Sequence, residues 1–396
     1  VTTVGLPTAV PFLDLTAEHE RVRPELDAAW TAVLAHGRFV GGPEVAAFEQ
    51  EFGAFVGTGG CVGVGNGTDA LELILAALGI GRGCEVIVPT NTFVATAEAV
   101  RAVGATPRFV DVRPGDLLVD PAAVAAAVGP RTAAVVAVHL FGQVADMPAL
   151  AAVADRHGLA LVEDAAQAHG ARRDGVRAGA AGVAAAFSFY PGKNLGALGD
   201  GGAVTSRDAD LLARVRRLAD HGRDPHDRHL HRTSGRNSRL DTLQAAALRP
   251  RLRRLDVDNE ARRQVVARYA ERLPARCRLL DVDPRSEPVH HLAVVRVDRR
   301  DEVGAALGAA GIGWGVHYPV PCHRQPAFRT GHHAPVLPVA EAAARRILSL
   351  PCFPAMTPAQ VDRVADVLAG ATRDTDPPPD DGAAIRPVVT APRSTP

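Results

Sequence analysis

The stretch SFYPGKNLGALGDGGAV, residues 188 to 204, sets one lysine, Lys193, between a glycine and an asparagine in a run of small residues, in a chain that otherwise takes nearly all its positive charge from arginine. A lysine kept for solubility needs no such setting. Enclosed among small residues and near another cation, an amine loses its proton more readily than in water and becomes a nucleophile able to attack an aldehyde. Arginine cannot replace it, because it does not deprotonate. A solvated surface lysine is the plainer alternative.

Two further stretches supply what such an amine would work with. GVGNGTDALEL places Gly65, Asn66, Gly67, Thr68 and Asp69 where a strand gives way to a helix. The unpaired N–H groups and the positive end of the helix dipole there favour a phosphate, with the Thr68 hydroxyl as an extra donor, although an ordinary capped helix looks the same in sequence. LALVEDAAQAHG ends a very apolar strand in Glu163 and Asp164. A carboxylate in that position needs a compensating partner, since burying an unpaired charge is costly. A protonated heterocyclic nitrogen would serve, and so would an arginine or a helix cap. A phosphate cradle, a carboxylate for a pyridinium and a nucleophilic lysine are together the protein's side of pyridoxal phosphate chemistry.

The elements that must position these residues alternate. CVGVGNG, CEVIVPT, TPRFVDV, TAAVVAVHLFG, LALVEDA and GVAAAFSF read as strands, separated by the helical patterns TDALELILAALGI, TFVATAEAVRAVG, DPAAVAAAVG (with Asp120 as N-cap) and DMPALAAVADRHG. Strands alternating with helices imply parallel pairing through crossovers, hence an α/β layered domain with a mostly parallel sheet flanked by helices. In such sheets ligands collect at the carboxyl ends of the strands, where these residues sit. Beyond residue 205 come a helix (DADLLARVRRLADHG), the polar, His-rich loop RDPHDRHLHRTSGRN and long helical material kinked near Pro250. A strand (HHLAVVRVD), a helix (DEVGAALGAAG), the segment WGVHYPVPCH and two more helices follow. The expected organisation is a large domain over 1–250, a smaller α+β domain over 251–372 and a disordered tail over 373–396, rich in proline and charge.

Composition excludes several partners. Basic and acidic residues balance at 44 each in 396 residues, so no net charge draws the chain to nucleic acid or to an anionic membrane. The five cysteines are scattered and never form a C-x-x-C pair, which argues against a disulfide framework and a zinc site and for a reducing compartment. No apolar run approaches the roughly 18 residues of a membrane span, and no signal-peptide pattern opens the chain. The expectation is a soluble, cytoplasmic protein without a metal.

At these residues the chain resembles the DegT/DnrJ/EryC1/StrS family of sugar aminotransferases, which have the fold type I architecture of the aspartate aminotransferase superfamily. The resemblance covers about residues 9 to 370, through VPFLDL, GPEVAAFEQEF, NGTDAL, PTNTFVATAEAV, VEDAAQAHG, SFYPGKNLGALGDGGAV, GRNSRLDTLQAA and HYPVPCHRQPAF. It implies that Lys193 holds pyridoxal 5'-phosphate covalently, that Thr68, the Asp69 backbone and Ser188 bind its phosphate, and that Phe93 stacks on its ring. Asp164 would pair with the ring nitrogen and Gln167 reach the ring hydroxyl. Asn237 would come from a neighbouring subunit to complete the phosphate site, so that the active form is at least a homodimer with shared sites. Tyr190, His317 and Tyr318 match positions that face the sugar. Each has a plainer reading: Phe93 and Tyr190 as packing aromatics, Ser188 and Gln167 as routine polar residues, His317 and Tyr318 as an interdomain contact. His139 could also approach the site.

The reaction implied is the transfer of an amino group from glutamate, or sometimes aspartate or glutamine, to a nucleotide-linked keto-6-deoxyhexose. The dTDP-linked sugars and amination at C3 are favoured over C4 by the FLDL and HYPVPCHRQPAF segments, and Arg223, Arg228 and Arg232 could meet the diphosphate. A sugar dehydratase on the same fold would carry histidine in place of Lys193. A non-catalytic regulator on an old enzyme scaffold would have no reason to keep Lys193, Asp164 and Thr68 together.

Overall fold

A computed structural model describes residues 9–328 and 335–372; the tail expected over 373–396 lies outside the described residues. Seven strands form the main sheet, in the spatial order Cys61–Val64, Gly202–Thr205, Ala184–Ser188, Ala160–Asp164, Thr132–Val138, Glu85–Pro89, Thr106–Val110. Pairing is parallel from Ala184–Ser188 to Thr106–Val110, and only Gly202–Thr205 runs against its neighbours. The layered, mostly parallel α/β sheet expected from the alternation is the one found. Gly202–Thr205 was not anticipated, because four residues with a glycine at the start carry no periodicity of their own.

Side-chain alternation along the strands divides the interior in two. Ile87, Val135, Ala137, Leu161, Ala185 and Phe187 point to one face, against Phe48 and Phe52 of the Pro43–Val56 helix and Leu150 of Met147–His157. Their neighbours Val86, Val88, Val136, Val162 and Ala186 point to the other, against the Gly67–Ala77 and Ala209–Ala219 helices. The same period of two sends Glu163 to the first face and Asp164 to the second. The polar strand end is thereby split into two different environments.

A single 31-residue helix, Thr242–Arg272, carries Pro250 in its interior and passes through the expected 250/251 boundary without a break. Its first half packs in the large core through Ala245, Leu248, Leu252 and Leu255; its second half supplies Val265, Val266 and Tyr269 to a separate C-terminal core. There a three-stranded sheet, Arg278–Leu279, Ala293–Arg296 and Ile347–Leu350, packs under the Arg300–Ala309 and Pro358–Ala371 helices. Val10 belongs to this C-terminal core and pairs with Ile312, so the N-terminal segment lies against the far end of the chain. The five cysteines are all unpaired. No helix among the described residues is long and apolar enough to cross a membrane.

Candidate active site

Lys193 follows the carboxyl end of Ala184–Ser188 in a tight turn closed by its own N–H on Tyr190 O at 2.8 Å. Small residues are obligatory here: a Cβ on Gly196 would lie 2.3 Å from Pro191 O. It is the only lysine of the chain. Burial lowers its amine to about 8, opposed by the nearby Asp164 charge, so the neutral form becomes accessible at a far lower pH than for a lysine in water. Around it His169 is pushed down to about 3 and His317 to about 4, in each case by burial and then by the Lys193 charge. His291 is lowered well below its ordinary value for the same two reasons, with Arg262 adding to them. The amine is surrounded by uncharged imidazoles.

Asp164 is buried at the end of its strand, accepting from the Thr96 hydroxyl at 2.8 Å and from the Ala166 N–H at 3.2 Å. The Thr92 and Thr96 hydroxyls are themselves 2.8 Å apart, and because Thr96 spends its proton on Asp164, Thr92 is the donor between them. Among the described residues no arginine pairs with Asp164. Glu163, on the opposite face, is fully enclosed by donors. It accepts from His139 Nε2 at 2.7 Å and from the N–H groups of Gly179, Ala181 and Gly182 at 2.7, 2.8 and 2.6 Å. Burial pushes its carboxyl up, and these donors outweigh that and hold it below the usual carboxylate range. Ala145 N–H donates to His139 Nδ1 at 3.1 Å, which leaves the ring proton on Nε2 for Glu163. His139 therefore supports the scaffold behind the site and does not face it.

At the start of the Gly67–Ala77 helix, Asn66 caps the Asp69 N–H at 2.8 Å. The N–H groups of Gly67 and Thr68 are the donors left open there. Gly67 abuts Ser188, whose Cβ would be 2.7 Å from a Cβ at Gly67, so the helix start and the end of the Lys193 strand converge. The Asp69 carboxylate faces Arg236 at 3.6 Å, and Arg236 also pairs with Glu72. Asn237, next in the chain, is exposed, while Ser238 accepts from the Gly65 N–H at 3.0 Å.

Phe93 is 53% and Tyr190 60% exposed on the single chain, so neither belongs to its buried core. The Phe93 ring lies 5.7 Å from that of Tyr318, tilted by 41°. Gln167 donates to the Tyr318 hydroxyl at 3.2 Å and accepts from the Phe141 N–H at 2.7 Å, where Phe141 adopts a left-handed φ of 62°. His317, joined to Tyr318 by a cis peptide, bonds Ser349 Oγ at 2.9 Å and stacks on Phe12. Phe93, Asp164, Gln167 and Tyr318 thus share one site, and Lys193, Asp164 and His317 are linked electrostatically. Thr92, Thr96 and Asn194 belong to the same neighbourhood but carry no motif that singles them out in sequence.

The sequence profile of the DegT/DnrJ/EryC1/StrS aminotransferase family matches residues 20–369. The chain belongs to that family. It is an aminotransferase, and its cofactor is pyridoxal phosphate. Among the family's members, the chain is 50% identical over 91% of its length, and 95% of theirs, to the dTDP-3-amino-3,4,6-trideoxy-alpha-D-glucose transaminase of Streptomyces venezuelae. It is 48% identical to the erythromycin biosynthesis sensory transduction protein EryC1 of Saccharopolyspora erythraea, over 91% of this chain and 100% of that one. The crystal structure of Streptomyces venezuelae DesV in complex with a ketimine intermediate superposes with a TM-score of 0.89 at 49% identity, covering 93% of this chain and 100% of that one.

The aminotransferase's own side chains suit this cofactor. The helix start with its two open N–H groups abuts Ser188 at Gly67, a setting that suits a phosphate, and the Phe93 ring is a half-exposed flat apolar surface. Asp164 is a buried carboxylate whose hydrogen-bond donors among the described residues, Thr96 and Ala166, are uncharged, with the Lys193 amine nearby, an environment that a protonated ring nitrogen would complete.

Proposed function

We propose that the enzyme transfers an amino group from glutamate to a dTDP-linked keto-6-deoxyhexose, at C3 of the sugar. The observation that carries the substrate class is the likeness, along nearly the whole of both chains, to the Streptomyces venezuelae transaminase of a dTDP-3-amino sugar. Bound pyridoxal phosphate supplies an aldehyde carbon that takes up the amino group and a ring that accepts the electron pair released when the substrate's C–H bond breaks. Lys193 anchors the cofactor and, once displaced by the substrate amine, moves the proton between the substrate carbon and the cofactor. An amine near 8 suits both directions of that transfer.

Asp164 keeps the ring nitrogen protonated, and the Thr92–Thr96 hydroxyl pair orients it. Gln167, fixed between Phe141 and Tyr318, meets the ring hydroxyl. Thr68 and Ser188, with the helix N–H groups, hold the phosphate. Tyr190, His317 and Tyr318 face the sugar. Asn237, exposed on the single chain, reaches the phosphate of a second copy, which makes the working unit a homodimer.

The test is incubation with glutamate and a panel of dTDP-, UDP- and GDP-linked 3-keto and 4-keto sugars, with NMR to locate the new nitrogen. Nitrogen at C3 of a dTDP sugar is the expected result; nitrogen at C4 or turnover confined to another nucleotide overturns the specificity. The naming of EryC1 as a sensory transduction protein raises a second reading, a non-catalytic regulator. Absence of turnover with every sugar, in protein that binds the cofactor, would favour it.

A further inference from the structure

Gln244, Arg251 and Asn259 lie seven and eight residues apart on the long Thr242–Arg272 helix, a spacing that puts them on one stripe of its surface. All three reach the loop that carries Lys193. Gln244 Oε1 accepts from the Leu198 N–H at 2.8 Å, Arg251 donates to Gly196 O, and Asn259 Oδ1 accepts from Asn194 Nδ2 at 2.9 Å. The last contact is adjacent to the nucleophile in sequence.

Every polar atom of the two asparagine side chains is used. Asn194 Nδ2 gives its second hydrogen to Val289 O at 2.9 Å. Its Oδ1, then an acceptor only, takes the Nδ1 hydrogen of His291 at 3.2 Å, which fixes that imidazole's tautomer. Asn259 Nδ2 donates to His169 O at 2.8 Å, in the turn that follows the Asp164 strand. One amide-to-amide bond therefore joins the Lys193 loop, the turn beyond Asp164 and the connection leading to the C-terminal sheet. Asn259 is 1% exposed, and the backbone leaves it no room to move: a Cβ at Gly170, which sits at φ 89°, would be 2.9 Å from its Nδ2.

We propose that Asn194 and Asn259 are positioning residues that hold Lys193 in register with the strand end bearing Asp164. The proposal rests on the reading of Lys193 as the residue that binds the cofactor covalently. A nucleophile displaced by an ångström loses rate steeply even when every reacting group is present. The bracket should therefore matter for capture of an aldehyde cofactor and be nearly silent for a cofactor that forms no covalent bond. Pyridoxamine phosphate, which has an amine in place of the aldehyde, is that control.

The experiment follows apoenzyme mixed with pyridoxal phosphate, quenched with borohydride at intervals and weighed by mass spectrometry. With one lysine in the chain, peptide mapping assigns the adduct without ambiguity. For Asn259→Ala, capture about tenfold or more slower than wild type is expected, with pyridoxamine phosphate affinity within about threefold. The Asn194→Ala/Asn259→Ala double variant should be slowed by less than the product of the two single effects, because both singles remove the bond that the two amides share. Should Asn259→Ala not fold, Asn194→Ser breaks that bond from the other side and carries the same readouts. Capture at the wild-type rate, or equal weakening of both cofactors, overturns the bracket. If wild type itself forms no adduct at Lys193, the underlying reading falls instead.

Discussion

The Thr96 hydroxyl donates to Asp164 Oδ2 at 2.8 Å, and Thr92, four residues earlier in the bend before the helix, backs it. A hydrogen bond to a charged acceptor contributes about 1.5–3 kcal/mol. Thr96→Val keeps the shape and removes the donor, so pyridoxal phosphate affinity should fall about 10- to 100-fold, in step with that energy. Thr96→Ser, which retains the hydroxyl, should recover most of it. Equilibrium titration of the visible absorption band measures both, and equal affinities in Thr96→Val and wild type would rule the contact out as functional.

Neighbouring carboxylates should respond in opposite ways. Glu163 is held by His139 and three backbone N–H groups, so Glu163→Gln turns an amide into that ring of donors and should cost about 3–5 kcal/mol of stability. Asp164→Asn keeps an acceptor for Thr96 and Ala166 and should unfold within about 1 kcal/mol of wild type while losing most of its transaminase activity. Urea unfolding of the apoprotein and half-reaction kinetics separate the two. A stable, inactive Glu163→Gln would reverse the assignment.

These contrasts show where the sequence was legible. Lys193, Asp164, Gln167 and Thr68 stand in contiguous motifs at strand ends, so a local reading reaches them. Thr96 meets Asp164 across 68 residues of chain, Asn259 meets Asn194 across 65, and His291 meets Asn194 across 97. Their role exists only after folding, and a threonine or asparagine inside a helix has no local signature. The parallel sheet was legible because alternating strands and helices admit few topologies. The Ile347–Leu350 strand was not, because it directly follows the Pro338–Arg346 helix with no turn residue between them.

Cofactor capture should follow the Lys193 amine. Its value is lowered from 10.5 to about 8, so the neutral nucleophile dominates above that pH and is lost below it. The borohydride-trapped rate should climb with pH and level off above about 8, far below the range of a free lysine. Lys193→Arg, always charged, should give no adduct and no visible band with far-UV circular dichroism unchanged. A profile still rising at pH 10 would place the amine in solvent.

Acid should destabilise the apoenzyme through its buried imidazoles. His169 is lowered to about 3, and His290 and His317 to about 4, chiefly by burial, while in the unfolded chain all three titrate near 6.5. Between those values the unfolded state binds more protons, so stability is full above about 6.5 and falls as the pH drops towards 4. Each unit of depression is worth about 1.4 kcal/mol. His169 is fully buried, and its ring packs against Phe187 and Phe189. His169→Phe should shallow the acid slope in urea unfolding from pH 7 to 4; an unchanged slope would mean the imidazole is solvated.

Asn237 offers the sharpest test of shared sites. It is exposed on the single chain, although the Gly65–Asp69 helix start contacts its neighbours Arg236 and Ser238. If each phosphate site takes Asn237 from a second copy, subunits bearing Lys193→Ala and subunits bearing Asn237→Ala should complement one another. In a mixed dimer one site combines the intact Lys193 of one subunit with the intact Asn237 of the other, and the second site lacks both. Random reassortment makes about half the dimers mixed, each with one of two sites intact, so activity should return to about a quarter of wild type by the closed two-fold pairing of a homodimer. Each variant alone should stay well below that, and mixing that restores nothing would put Asn237 in the site of its own chain or outside it altogether.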